Sequence, residues 1–464
     1  MSAAPTAMTV APTRHGLSTV EPWRSDRRVP LLGALMAVLV GVGVGLGYAE
    51  YVLVGTLALV MAMVSFWTDR GILYVLTLVP FGEALSVGPV TVGRLLAVVS
   101  VMVLAVKIAT GRLRVPALRA TTWVPAAALV AVIVASGLVA TNFHGWTFAM
   151  GQVALAVAFY LAFAFLIDRP EQIAGLLRVY VVGAVAAAAI GVYQVLTTDR
   201  AVGLQGDANI YALYQVAALP AALALAKLST GGRRMLWLLT ILPLLASVGA
   251  SQSRGALLAL GATVLVLALQ HPRRRILTPL VALGGVVAYL VVPLLDDRYA
   301  VQRVSADRAS GRLDIWFTAW HAFLEHPWTG IGAGNFVSQS IERLTTEPGV
   351  ELIKSHLLTG EGIEVHNIYL ESLAERGVFG LATLAAFLGC TLWVLVQAAR
   401  RYGHPAVTAL TPMLVSYCAA AFFLSVSNSK LLWMLAGLGA ALLSRPSVSR
   451  LPDQPSRLAP RSSS

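Results

Sequence analysis

"LLTILPLLASVGASQSRGALLALGATVLVLAL", residues 238–269, decides the fold. In this run a single charge, Arg254, separates two apolar stretches, each close to the roughly 17–25 residues that a helix needs to cross a bilayer. A chain that turns around "SQSRG" between two such stretches crosses the membrane twice and holds Arg254 at one surface. The rest of the sequence repeats the pattern. The chain of 464 residues is 57% hydrophobic and 12% charged, where soluble domains carry about 25% charge.

Apolar segments fall at 30–48, 51–67, 71–84, 92–109, 122–140, 150–167, 173–196, 208–228, 234–250, 254–270, 275–294, 376–399, 405–426 and 430–444. They predict an all-α polytopic transmembrane bundle of about 12–14 spans, with 71–84 short enough to be re-entrant. Long unbroken apolar runs do not fit a membrane β-barrel, whose strands alternate in polarity over about 10 residues. Both cysteines, Cys390 and Cys418, lie inside apolar segments, which leaves no disulfide framework.

The net charge of +12 does not signal nucleic acid, because the basic residues sit in short connections and tails between apolar segments. With both termini in the cytoplasm, the clusters Lys107/Arg112/Arg114/Arg119, Lys227/Arg233/Arg234, Arg273/Arg274/Arg275 and Arg400/Arg401 share the cytoplasmic side. The expected organisation is a disordered cytoplasmic tail 1–29, an N-terminal transmembrane bundle 30–294, an external loop 295–365, C-terminal transmembrane helices 366–444 and a second disordered tail 445–464.

The external loop reverses the charge balance, with six Lys/Arg against ten Asp/Glu. Within it, "RLDIWFTAWHAFLEHP" spaces Ile315, Ala319, Trp320, Phe323 and Leu324 as one face of an amphipathic helix. Arg298, Arg303 and Arg308 read as a solvated linker, whereas Arg312 leads straight into that helix and can grip phosphate oxygens bidentately. The glycines of "HPWTGIGAGNF" lack the preceding strand of a nucleotide loop and predict a tight turn back to the membrane. Four histidines, His321, His326, His356 and His366, lie in or beside the loop, but their spacing matches no zinc pattern, so no metal and no cofactor is expected.

His366 and Asn367 open the next apolar helix in "EVHNIYLESLAERGVFGL". Asn367 is a good N-cap, and Glu371 is either a first-turn dipole partner or an orienting carboxylate. His366 reads equally as a cap neighbour or as a proton acceptor with an ordinary pKa of about 6.5.

Taken together, "SQSRGALLAL", "SGRLDIWFTAWHAFLEHPWTGIGAGNF" and "HNIYLESLAERGVFGL" resemble, in order and setting, the O-antigen ligase and polymerase superfamily of bacterial membrane glycosyltransferases. "GLQGDANIYALY", 203–214, resembles a weaker segment of the same family. The resemblance implies transfer of a polyprenyl-pyrophosphate-linked glycan to a glycan, lipid or other hydroxyl acceptor at the outer face of the cytoplasmic membrane, without a metal and with inversion. It further implies that Arg254 and Arg312 bind the donor pyrophosphate and that His366 serves the acceptor, with Ser253, Asn367, Glu371 and Asn209 in support. Whether the chain is a ligase or a polymerase stays open. A secondary transporter or lipid flippase would have as many spans, but would carry mid-membrane ionisable residues and an inverted repeat.

Overall fold

A computed structural model of the chain describes residues 69–82, 86–87, 90–113, 115–197, 200–281, 283, 312–348, 350 and 362–444. Segments 30–48 and 51–67, most of 275–294, both tails, Arg114, Arg298, Arg303, Arg308 and His356 lie outside the described residues. Within them the protein is all-α, apart from one antiparallel pair of two-residue strands, Ser86–Val87 and Val90–Thr91. Among the described residues, seven helices are long and apolar enough to cross a membrane.

The segment 71–84 becomes α1, Asp69–Leu78, closed by a 3-10 turn, Val79–Gly82; α1 is too short to span and is buried along most of its length. α2 is Val92–Ala109 and α3 Ala120–Ala135. α4, Phe143–Leu166, starts seven residues before the apolar run suggests, because Asn142 caps it by accepting from the Gly145 N–H at 3.2 Å. α5 is Glu171–Thr197 and α6 Ala208–Lys227. The span expected over 234–250 is present as Gly231–Ala250, kinked at Thr240 into α7 Gly231–Leu239 and α8 Ile241–Ala250. Pro243 explains the break, since its ring crowds the carbonyl of Leu239 and supplies no N–H. α9, Arg254–Gln270, begins at the charged turn.

α6 is the central helix. Some 83% of its apolar window is buried, against 17% for the α7–α8 pair, and α5, α8, α9 and α13 (Pro405–Ala420) pack around it.

The described part of the long insertion forms two helices, α10 Arg312–Glu325 and α11 Asn335–Thr346. The buried stripe of α10 is Ile315, Thr318, Ala319 and Ala322, which keeps Ile315 and Ala319 of the expected face, while Trp320 and Leu324 are 44% and 55% exposed. Small residues let α10 lie close on α12 (Ile368–Tyr402), leaving its bulky apolar side outward, where it suits a membrane interface. With Ile331, Phe336 and Leu344, these residues close a core around Val365 and Ala374.

The glycine turn between α10 and α11 is fastened at both ends. Gly330, Gly332 and Gly334 all have positive φ, and the N–H groups of Ile331 and Gly332 donate to the carbonyls of Ala374 and Glu375 at 3.0 and 2.9 Å. Asn335 is fully buried against the α3–α4 connection. Its Oδ1 accepts from the Asn142 N–H at 2.6 Å and the Thr141 hydroxyl at 3.2 Å, and its amide donates to Asn142 O at 3.3 Å and Ala333 O at 3.2 Å.

α12 is a helix of 35 residues broken at Gly377, where φ 63° and ψ −160° leave the helical region. The span expected from 376 is therefore the second piece, and residues 368–376 form a separate short helix beneath the insertion. α14, Lys430–Ser444, completes the bundle against α4.

A Cβ on Gly377 would meet the Trp328 carbonyl oxygen and demand a left-handed backbone of an L residue. Gly377→Ala should therefore destabilise the protein by roughly 1–3 kcal/mol, seen as a lowered thermal midpoint in nanodiscs. An unchanged midpoint would remove the steric account of the break.

Candidate active site

The turn "SQSRG" is built by backbone and caps. Gln252 takes a left-handed φ of 52°, and Ser253 caps α9 by accepting from the Ala256 N–H at 3.2 Å. The Ser253 hydroxyl donates to Asn209 Oδ1 at 2.7 Å, and Arg200 Nη2 donates to the same oxygen at 3.3 Å. Arg200 Nε donates to the Ser251 carbonyl, and the Ala201 N–H to the Ala250 carbonyl at 3.1 Å. Two stretches fifty residues apart are thus locked together. Asp207 caps α6 by accepting from the Asn209 and Ile210 N–H groups, both at 2.8 Å.

Arg254 is the first residue of α9 and Arg312 the first of α10. A cation in the first turn opposes the helix dipole, so neither position favours the helix itself. Both favour an anion arriving at the helix N-termini. The Arg312 guanidinium lies 5.7 Å from the ring centre of Phe423. Its pKa is lowered by burial and by the charges of Arg200 and Arg254, with Asp207 opposing. Three arginines and one aspartate therefore share one electrostatic neighbourhood, although they come from three separate stretches of chain.

His366 adjoins this cluster. Its φ of 53° is left-handed, one of two such non-glycine residues among those described, and its N–H donates to the Ser425 hydroxyl at 2.9 Å. Strained backbone held by its surroundings is common at functional sites. Asn367 caps α12, accepting from the Tyr369 and Leu370 N–H groups at 3.0 and 3.1 Å, which fixes where His366 leaves the helix. Trp316 of α10 donates to the Val365 carbonyl at 3.1 Å and pins the preceding residue. Burial holds the His366 pKa below its ordinary value, the Arg312 charge lowers it further, and Asp207 opposes. The ring is neutral at neutral pH and free to accept a proton.

Glu371 takes the Ser427 hydroxyl at 3.3 Å and faces Arg376 at 3.9 Å. The carboxylate whose charge bears on Arg312 and His366 is instead Asp207, which also acts on Glu364. Burial, then the charges of Glu371 and Asp207, push Glu364 up to about 7. Spacing did not single out Arg200, Asp207 or Glu364. Asp207 carried a signal, as a good capping residue before an apolar helix in "GLQGDANIY". His321 lies apart from the cluster, 4.0 Å from Glu347 in a network where Arg343 joins Glu325 and Glu347 at 2.8 and 3.1 Å.

An apolar groove of about 630 Å³ is lined by Leu258, Tyr369, Cys418, Ala419, Phe422 and Phe423, and Phe423 brings it to Arg312. Leu258 stands one turn beyond Arg254, and Phe423 lies beneath Arg312.

A family described as O-antigen ligase matches residues 238–385, the stretch holding Arg254, Arg312 and His366. The match covers about a third of the chain, and the seven membrane-length helices among the described residues make the chain a multi-pass membrane protein. No curated protein matches the chain.

Because the folded state holds Glu364 at about 7 rather than its ordinary 4.5, it keeps a proton that the unfolded chain has released. Stability should fall as pH rises from 4.5 to 7, by at most about 1.4 kcal/mol per unit, and flatten above. Buried Glu375, also held at about 7, adds a slope of the same sign, so Glu364→Gln should reduce the slope without levelling it in thermal melts across that window, and a slope unchanged in the variant would show that Glu364 contributes nothing.

Proposed function

We propose that the chain transfers a glycan from a polyprenyl-pyrophosphate carrier to an acceptor hydroxyl at the outer face of the cytoplasmic membrane, as an O-antigen ligase does. The observation that carries this reading is that the charges of Arg254 and Arg200 reach Arg312, that of Arg312 reaches His366, and Arg312 rests on Phe423 of an apolar groove. A pyrophosphate joined to a long isoprenoid needs cations beside an apolar channel. The groove takes the carrier's first isoprene units, and the lipid beyond them stays in the bilayer.

In the reaction, the acceptor oxygen attacks the anomeric carbon and the bond from that carbon to the phosphate oxygen breaks. The hydroxyl proton passes to neutral His366. The electron pair leaves on the pyrophosphate, where Arg254 and Arg312 stabilise the growing charge in place of a divalent ion. Arg200 and Asn209 hold the Ser253 turn, which aims Arg254. Attack from the face opposite the leaving group inverts the anomeric centre. Both chain termini lie in the cytoplasm in this orientation.

The test uses purified protein in proteoliposomes with a polyprenyl-pyrophosphate glycan and candidate acceptors, following carrier release and acceptor extension. Arg254→Ala and Arg312→Ala should each slow turnover by about 10²–10³-fold. His366→Ala should slow it by about 10²–10⁴-fold, and chelator should change nothing. Full turnover by the His366 and Arg254 variants would end this mechanism, and a strict need for a divalent ion would end the role given to the arginines.

The acid limb of the wild-type rate profile should fall below the ordinary histidine value of 6.5, because Arg312 and burial disfavour the protonated ring. A limb at or above that value would mean that another group accepts the proton.

A further inference from the structure

Residues 421–426 follow α13 and lie outside the matched residues 238–385, yet they reach the surroundings of Arg254, Arg312 and His366 alike. A 3-10 turn, Ala421–Phe423, carries the chain out of α13, and Leu424 is extended, with φ −143° and ψ 147°. The hydroxyl of buried Tyr417 donates to the Val426 carbonyl at 2.7 Å and fixes where the stretch ends. Ser425 Oγ accepts the His366 N–H at 2.9 Å. Phe423 meets the two arginine-bearing helices. A Cβ placed on Gly255, the neighbour of Arg254, would lie 3.0 Å from Phe423 Cβ, so this side chain is seated on the first turn of α9. Its ring centre lies 5.7 Å from the Arg312 guanidinium and 6.1 Å from the ring of Trp316, one turn further along α10.

The contact with Arg312 matters because, among the described residues, that guanidinium makes no hydrogen bond and no ion pair. Such a group keeps its N–H donors for a ligand, but it also keeps rotamer freedom that binding must then remove. The face of an aromatic ring attracts a cation within about 6 Å through its quadrupole and takes up none of the donors. An ion pair would order Arg312 and occupy those donors; a ring orders it and leaves them open. The same ring lines the apolar groove. A donor with a charged head and an apolar tail would therefore meet Phe423 twice, the head through Arg312 and the tail along the groove wall.

We propose that Phe423 is a positioning residue, which sets Arg312 against Arg254 by holding the guanidinium on its ring face, ready for the donor's pyrophosphate. That Phe423 holds Arg312 does not depend on the transferase reading; that the held arginine serves a pyrophosphate rests on it.

Mono-, di- and trifluorinated phenylalanines introduced at position 423 of the full chain in nanodiscs test this, because fluorine drains charge from the ring face and leaves its shape nearly unchanged. Affinity for farnesyl pyrophosphate should fall stepwise along the series, by roughly 2–30-fold at its end, the range of a cation–π contact from exposed to desolvated. In an Arg312→Gln background the series should be flat, since the ring then has no cation to hold. A second readout needs no ligand. Burial and the Arg312 charge hold His366 below its ordinary value, with Asp207 opposing, so in Phe423→Leu the His366 ring, followed by NMR, should titrate closer to 6.5. Equal affinity along the series, or the same decline in the Arg312→Gln background, would overturn the proposal. An unmoved His366 titration would overturn it as well. If wild type binds no farnesyl pyrophosphate, the transferase reading falls, and the titration alone decides whether Phe423 holds Arg312.

Discussion

Asn335 makes four hydrogen bonds in a site closed to solvent, and the rest of the functional architecture depends on them. A polar insertion laid over apolar helices must satisfy its own backbone where it touches them. Here one amide side chain joins the α10–α11 turn to the α3–α4 connection, while the carbonyls of Ala374 and Glu375 receive the N–H groups of Ile331 and Gly332. The insertion is thereby held over α12, and the core around Val365 and Ala374 brackets His366. Loss of that clamp would free α10, and with it Arg312.

The site divides its labour between a rigid and a carried part. Arg200, Asn209, Ser253 and Arg254 come from two turns locked to one another by hydrogen bonds. Arg312 is delivered by the insertion and rests on Phe423. Two cations at the starts of two helices weaken those helices individually, a cost that makes sense only if something negative is meant to arrive.

Much of this was legible in the sequence, and the exceptions have physical causes. Apolar length located the spans because lipid forces each one to satisfy its backbone within a helix. It missed the early start of α4, where a cap at Asn142 extends the helix beyond its apolar part, and the division at Thr240, where Pro243 interrupts a run that hydropathy sees as continuous. Spacing placed Ile315 and Ala319 on the packed face of α10, as the structure does, but grouped Trp320 and Leu324 with them, whereas close approach to α12 turned those two outward and selected Ala322. Arg254, Arg312 and His366 stood out by position and resemblance, and the structure brings them together. Arg200 and Asp207 join them through contacts between distant turns, which no local pattern records.

The break at Gly377 has a mechanical consequence. A continuous helix of this length would act as a lever, so that any tilt of the span with bilayer thickness would swing its far end. With the helix severed at one glycine, and the short piece bonded to the α10–α11 turn, Val378 donating to Pro327 and Ile331 to Ala374, the span can lean while the residues around His366 stay with the insertion. The joint uncouples the position of His366, and with it the proposed chemistry, from the varying thickness of the membrane.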